Sequence, residues 1–291
     1  MADESAPPSW QSLHARHTRR FHDNKFVYPV LSRRSRGVSI GVNLNPDKVC
    51  NFDCIYCQVD RRSEAQVQFV EQDELTAELD AMLACVASGE IYEDPAFAAV
   101  PPERRRLNDI AFSGDGEPTT YRNFDQLMSL AATLKRQHGL DAVKLVLITN
   151  ASMFHRPVVQ RGLEILDANN GEIWAKLEAG TEDYYHLVER TKVPFAQVLE
   201  NIAQAARVRP LVIQSLFMRI AGVAPPPAEI AAFCQRLVDI RQSGGQLRLV
   251  QVYTVARPPA ESCVEPLTHA ELADIARQVE DAGLRAEVFA D

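Results

Sequence analysis

Three cysteines fall within eight residues, Cys50-Asn51-Phe52-Asp53-Cys54-Ile55-Tyr56-Cys57, spaced C-x3-C-x2-C with an aromatic residue before the last. Thiolate sulfur is the soft ligand that cluster iron takes, and three thiolates on one short loop can hold three irons of a cubane [4Fe–4S] cluster. The fourth iron is left open, and an open coordination position is where chemistry occurs. A zinc knuckle is one competing reading. Structural zinc takes four closed ligands, usually as two separated pairs, and no second Cys or His pair follows at a fitting distance. An iron–sulfur electron-transfer protein is another, but such carriers use four cysteines per cubane.

A second stretch, Ser113-Gly114-Asp115-Gly116-Glu117-Pro118, follows about sixty residues after the thiols. With Tyr56 as the aromatic, the cysteine loop resembles the signature loop of the radical S-adenosylmethionine (SAM) enzymes. The second stretch resembles that family's GGEP motif, departing from it at Asp115. The flanks Gly37 to Asp47 and Gly116 to Tyr121 are most similar to the branch that builds the tricyclic wyosine base of tRNA.

The resemblance implies a partial (β/α)6 parallel barrel of radical SAM type and two cofactors, a [4Fe–4S] cluster and SAM. SAM would chelate the open iron and be cleaved reductively to a 5′-deoxyadenosyl radical that takes hydrogen from a substrate. An external electron donor, such as a flavodoxin or ferredoxin, is implied as well. Cys50, Cys54 and Cys57 then become the metal ligands, and Gly114, Asp115, Gly116 and Glu117 the turn holding the SAM amino group. Glycines there let the backbone approach closely.

Other polar groups stand where strands end. Tyr56 and Phe52 read as adenine-lining aromatics or as core. Lys176 and Glu178 share one face of a strand by alternation; they suit the SAM carboxylate and ribose, or a buried ion pair. Asn150 suits a ribose or substrate contact, or a cap on the next turn. Gln214, Ser215, Gln251, Tyr253 and Thr254 are polar residues in apolar strands, which need a buried partner or a ligand. Arg257 suits a bidentate clamp on a carboxylate or phosphate, or a surface salt bridge.

To position these groups the chain must alternate strands and helices, and it does. Apolar runs at Val38–Leu44, Leu107–Ser113, Val143–Thr149, Glu172–Glu178, Leu211–Phe217 and Leu247–Thr254 read as strands buried on both faces, with an edge strand at Arg285–Phe289. Helical spacing falls between them, including Leu75, Leu79, Met82 and Leu83, and a capping box at Thr268 and Glu271. That order argues for an α/β class with a parallel sheet or barrel, whose sites gather at the C-terminal strand ends.

We read residues 1–36 as an N-terminal basic arm and 37–291 as one catalytic domain. The arm carries Arg16, Arg19, Arg20, Lys25, Arg33, Arg34 and Arg36 against the single acid Asp23 between Trp10 and Arg36. It reads as a solvated arm or as a lip for phosphate or carboxylate, with Arg33, Arg34 and Arg36 the strongest candidates.

The formal charge of −8 disfavours a general nucleic-acid binder. A small-molecule or peptide substrate is therefore favoured over tRNA, which stays open as the wyosine-type alternative. Cys85, Cys234 and Cys263 are isolated and read as packing residues. No apolar run reaches membrane-spanning length, so we expect no membrane partner and a cytoplasmic protein.

Overall fold

The structure is a computed structural model that describes residues 21–32, 34–61 and 63–289. Its centre is an eight-stranded curled sheet in the order β1-β2-β3-β4-β5-β6-β8-β10. These strands are β1 (Val27–Ser32), β2 (Gly37–Val42), β3 (Leu107–Phe112), β4 (Lys144–Thr149), β5 (Gly171–Lys176), β6 (Leu211–Leu216), β8 (Leu247–Tyr253) and β10 (Ala286–Phe289). Every neighbouring pair is parallel except β1 with β2. A small antiparallel pair, β7 (Met218–Ile220) and β9 (Val264–Pro266), stands beside it.

The apolar runs expected as strands are the parallel strands. β2 and β6 are buried along their whole length, as strands covered on both faces must be. Among the described residues seven α-helices connect or cover them: α1 (Gln72–Ser88), α2 (Phe124–Gln137), α3 (Pro157–Asp167), α4 (Glu182–Glu189), α5 (Phe195–Val208), α6 (Pro227–Gln242) and α7 (His269–Asp281). The Thr268–Glu271 capping box opens α7 as expected. Helix α1 stops at Gly89, whose φ of 84° is the left-handed conformation that glycine adopts without Cβ strain.

β1 falls inside the stretch read as a basic arm. Its Pro29 cannot donate to a ladder, and a proline of this kind belongs on an edge strand; β1 is an edge of the sheet. Glu78 anchors its start. This acid lies on the apolar stripe of α1 and is buried, accepting the backbone N–H groups of Lys25, Phe26 and Val27 at 2.7, 2.9 and 3.0 Å. Of the three lip arginines, Arg34 and Arg36 lie in the β1–β2 turn, while Arg33 and the stretch 1–20 are outside the described residues. Among the described residues no helix is long and apolar enough to cross a membrane.

Candidate active site

The cysteine loop leaves the C-terminal end of β2, and the Gly114–Glu117 turn leaves that of β3. Asn43 joins them. Its amide donates to Asp115 Oδ2 at 2.7 Å, and its Oδ1 accepts the N–H of Asp115 and of Asn45 at 3.1 and 3.0 Å. The glycines serve this junction. A Cβ on Gly114 would strike the Asn43 side chain, and one on Gly116 would strike the Val49 carbonyl and lie 2.8 Å from Asn45 Cβ. The missing Cβ atoms let this turn pack closely against the strand end and loop that carry Cys50.

Glu117 is 3% exposed and occupied by protein. Oε1 accepts the Thr119 N–H at 3.1 Å and the hydroxyls of Thr119 and Thr149 at 2.5 and 2.6 Å. Oε2 accepts the Asn150 N–H at 2.7 Å. The carboxylate therefore ties the ends of β3 and β4 together. Burial raises its pKa, against the pull of these bonds. Asn150 is similarly engaged: its amide donates to Asn51 at 2.9 Å, and its oxygen accepts from the Ser152 backbone and hydroxyl at 3.1 and 2.6 Å.

Helix α4 fixes the thiol loop from the other side. The N–H groups of Asp53 and Ile55 donate to the carbonyls of Glu189 and Val188 at 3.1 and 2.9 Å, and Thr191 donates to the Asn51 carbonyl at 2.9 Å. Buried Glu189 accepts from the Cys54 thiol at 2.7 Å and from the Tyr56 hydroxyl at 3.1 Å. Tyr56 is thereby pinned, with its ring 5.3 Å from Lys176 Nζ.

Glu178 is buried just past β5, with Oε1 lacking a hydrogen-bond partner. Burial and then repulsion from Glu189 push its carboxyl well above the usual range, and burial raises Glu189 too. Two such carboxyls cannot both ionise readily. Lys176 answers them: burial alone would depress its ammonium, but Tyr253, Glu178, Cys54 and Glu189 outweigh that and raise it.

Cys50, Cys54 and Cys57 line one cavity of about 290 Å³ together with Tyr56, Gly114, Asp115, Gly116, Glu117, Asn150 and Lys176. Glu178 packs behind that lining. Burial raises the Cys50 thiol, and burial with the Glu189 charge lifts Cys54 far higher. Cys57 Sγ accepts from Arg61 at 3.6 Å. Among the described residues no three Cys, His, Asp or Glu side chains are already gathered at metal-binding spacing. The donor set nevertheless suits iron. Three thiols share one cavity, and Cys54 and Cys57 are held by single partners that a metal can replace.

The remaining polar strand residues find protein partners. Gln214 donates to Gln251 at 3.1 Å, Thr254 accepts from the Leu267 N–H at 2.9 Å, and Arg257 donates to Gln58 at 3.0 Å. Ser215 Oγ is buried without one. Phe52 is buried, edge-on to Tyr185, and also lines the cavity. Asn43, Arg61 and Glu189 were missed in the sequence. Glu189 carried a signal, an acid four residues after Tyr185 on the apolar stripe of α4.

This is the fold of the radical SAM enzymes. A radical SAM methyltransferase from Sphaerobacter thermophilus superposes with a TM-score of 0.62 at 13% identity, over 90% of this chain and 68% of that one. SuiB from Streptococcus suis, bound to S-adenosylmethionine, gives 0.54 at 13% identity over 89% and 49%. A TYW1 structure with a lysine–pyruvate adduct gives 0.50 at 14% identity over 94% and 82%. Among curated proteins, a UPF0026 protein of Helicobacter pylori is 29% identical over 140 residues, 48% of this chain and 39% of its own. One named GTPase Obg from Brachyspira hyodysenteriae is 25% identical over 185 residues, 62% and 23%. The chain thus spans well under half the length of either relative. No family model matches it.

Proposed function

We propose that the chain is a radical SAM enzyme in which Cys50, Cys54 and Cys57 hold a [4Fe–4S] cluster and the cavity beside them binds SAM. The observation that carries this reading is the sharing of one cavity by the three thiols and the Gly114–Glu117 turn, at the strand ends where such folds place their chemistry. When bound and reduced, by a donor such as flavodoxin or ferredoxin, a cluster with one open iron supplies the electron that splits SAM into methionine and a 5′-deoxyadenosyl radical.

The chain's own residues hold and orient. Glu117 keeps the turn closed so that its backbone faces the cavity, and Asn43 sets that turn against the thiol loop. Tyr56 and Lys176 form one wall, with the Lys176 ammonium facing the buried Glu178–Glu189 pair. A small-molecule or peptide substrate is favoured over tRNA, because Arg34 lines the cavity and Arg36 pairs with Glu287 at 3.1 Å. Neither forms an open lip for a long polyanion.

The test is anaerobic reconstitution with iron and sulfide, followed by SAM and dithionite. We expect broad visible absorbance and 5′-deoxyadenosine, both lost on changing Cys50, Cys54 or Cys57 to Ala and retained on changing Cys85, Cys234 or Cys263. A reconstituted chain that makes no 5′-deoxyadenosine, or a triad variant that keeps full turnover, overturns the proposal.

A further inference from the structure

Among the described residues four cationic side chains line the cavity, and three have evident polar or charged partners. Lys176 faces the Glu178–Glu189 pair, Arg61 donates to Cys57, and Arg257 donates to Gln58. Arg34 differs. Its guanidinium lies 4.4 Å over the Tyr253 ring, and its Nε, like that of Arg61, is buried with no hydrogen-bond partner. Among the described residues it makes no ion pair. Asp109, a carboxylate lining the same cavity, is engaged by the Ser39 hydroxyl.

We propose that Arg34 is the anchor for an anionic group, a carboxylate or a phosphate, on the substrate of this cavity. The proposal deepens the function argued above and rests on that reading of the cavity. Stacking on Tyr253 uses one face of the guanidinium and fixes its plane, leaving the N–H edge for an acceptor. A planar fork of donors matches a carboxylate or phosphate bidentately. The guanidinium is half-buried and has no counter-charge among the described residues, so an anion there would complete a charge-assisted pair. Burial depresses Arg34, and only Tyr253 opposes that shift; guanidinium nevertheless stays charged.

Arg34 sits in the β1–β2 turn, at the opposite end of β2 from the loop that carries Cys50. It reaches Tyr253 across the gap between the two edges of the curled sheet, where neighbouring Arg36 meets Glu287 of β10. Tyr253 packs with Ile55 and Tyr56 of the thiol loop, so a group bound there shares the cavity with the three thiols. The methionine carboxylate of SAM is the other possible source of the anion, and the experiment separates the two.

The full chain is titrated calorimetrically with inorganic phosphate and with pyruvate as probes, and SAM binding is measured separately by equilibrium dialysis after reconstitution. We expect one saturable site for at least one probe. Arg34→Gln should weaken it tenfold or more, about 1.4 kcal/mol, Arg34→Lys should retain part of it, and Arg36→Gln should leave it unchanged. SAM affinity should be the same in all four proteins. If Arg34→Gln does not fold, the Arg34→Lys titration decides.

Absence of saturable binding, or equal probe affinity in wild type and the Arg34 variants, overturns the proposal. So does a tenfold loss of SAM affinity in an Arg34 variant, which would assign the guanidinium to SAM itself. Probe binding needs neither cluster nor turnover. Failure to cleave SAM would therefore sink the radical SAM reading without touching this result.

Discussion

Replacing Glu117 by alanine separates a cofactor ligand from a structural tie. The carboxylate accepts two backbone N–H groups, from Thr119 at 3.1 Å and Asn150 at 2.7 Å, and two hydroxyls. The hydroxyls can rotate to other acceptors, but the buried N–H groups cannot. Each orphaned donor costs about 1–3 kcal/mol, and the lost packing adds to that. Relief of the carboxylate's burial offsets part of the sum.

We expect Glu117→Ala to lose about 3–5 kcal/mol in urea denaturation of the metal-free chain, against a typical total of about 5–15 kcal/mol. Glu117→Gln keeps the shape but turns one acceptor into a donor, and should fall between wild type and alanine. Far-UV circular dichroism follows unfolding, and equilibrium dialysis of reconstituted protein follows SAM. An alanine variant within about 0.5 kcal/mol of wild type, the range of an ordinary surface change, would refute the tie. If it had also lost SAM affinity, the carboxylate would be a direct ligand.

Gly116→Val should impair the thiol loop as well as SAM binding, because its side chain would press on the Val49 carbonyl next to Cys50; iron retained after desalting should drop below half of wild type, and full retention would count against the packing. Glu172 accepts from Lys144 and Arg248 at 2.8 Å and from Trp174 at 2.7 Å. Burial pushes its pKa up, but these partners outweigh burial and hold it below 4.5. A depressed folded pKa gives stability that is present above the unfolded value and lost as the pH falls through the folded one. The stability gap between wild type and Glu172→Gln should therefore be widest near neutral pH and shrink below 4.5; a gap independent of pH would contradict the ion pairs.

The parallel strands were legible because a strand covered on both faces is mostly apolar, and β2 and β6 are buried along their whole length. β1 was not, since Pro29 and the surrounding arginines disguise a strand that needs only one neighbour. At the site, the thiols and the Gly114–Glu117 turn could be read because their spacing is local. The partners that set them are remote: Glu189 meets Cys54 across 135 residues and Asn43 meets Asp115 across 72. The motif thus located the glycines, while their neighbours came only from the fold. Glu78, Glu189 and Glu229 follow one rule. Each is an acid on a buried helix stripe, and each receives donors from a neighbouring segment or loop. An acid interrupting such a stripe marks a loop anchor.

The gap crossed by Arg34 and Arg36 has a kinetic side. Arg36 and Glu287 are 251 residues apart, and contacts of long separation meet a large loop-closure cost before they return stability. This seam should therefore close late in folding. Contacts absent from the folding transition state act on unfolding. Arg36→Gln should accordingly speed unfolding and leave the refolding rate unchanged in stopped-flow traces; slower refolding would place this seam early. Arg34 and Tyr253 both line the cavity, so a late seam leaves it open at that edge of the sheet while the rest of the chain packs.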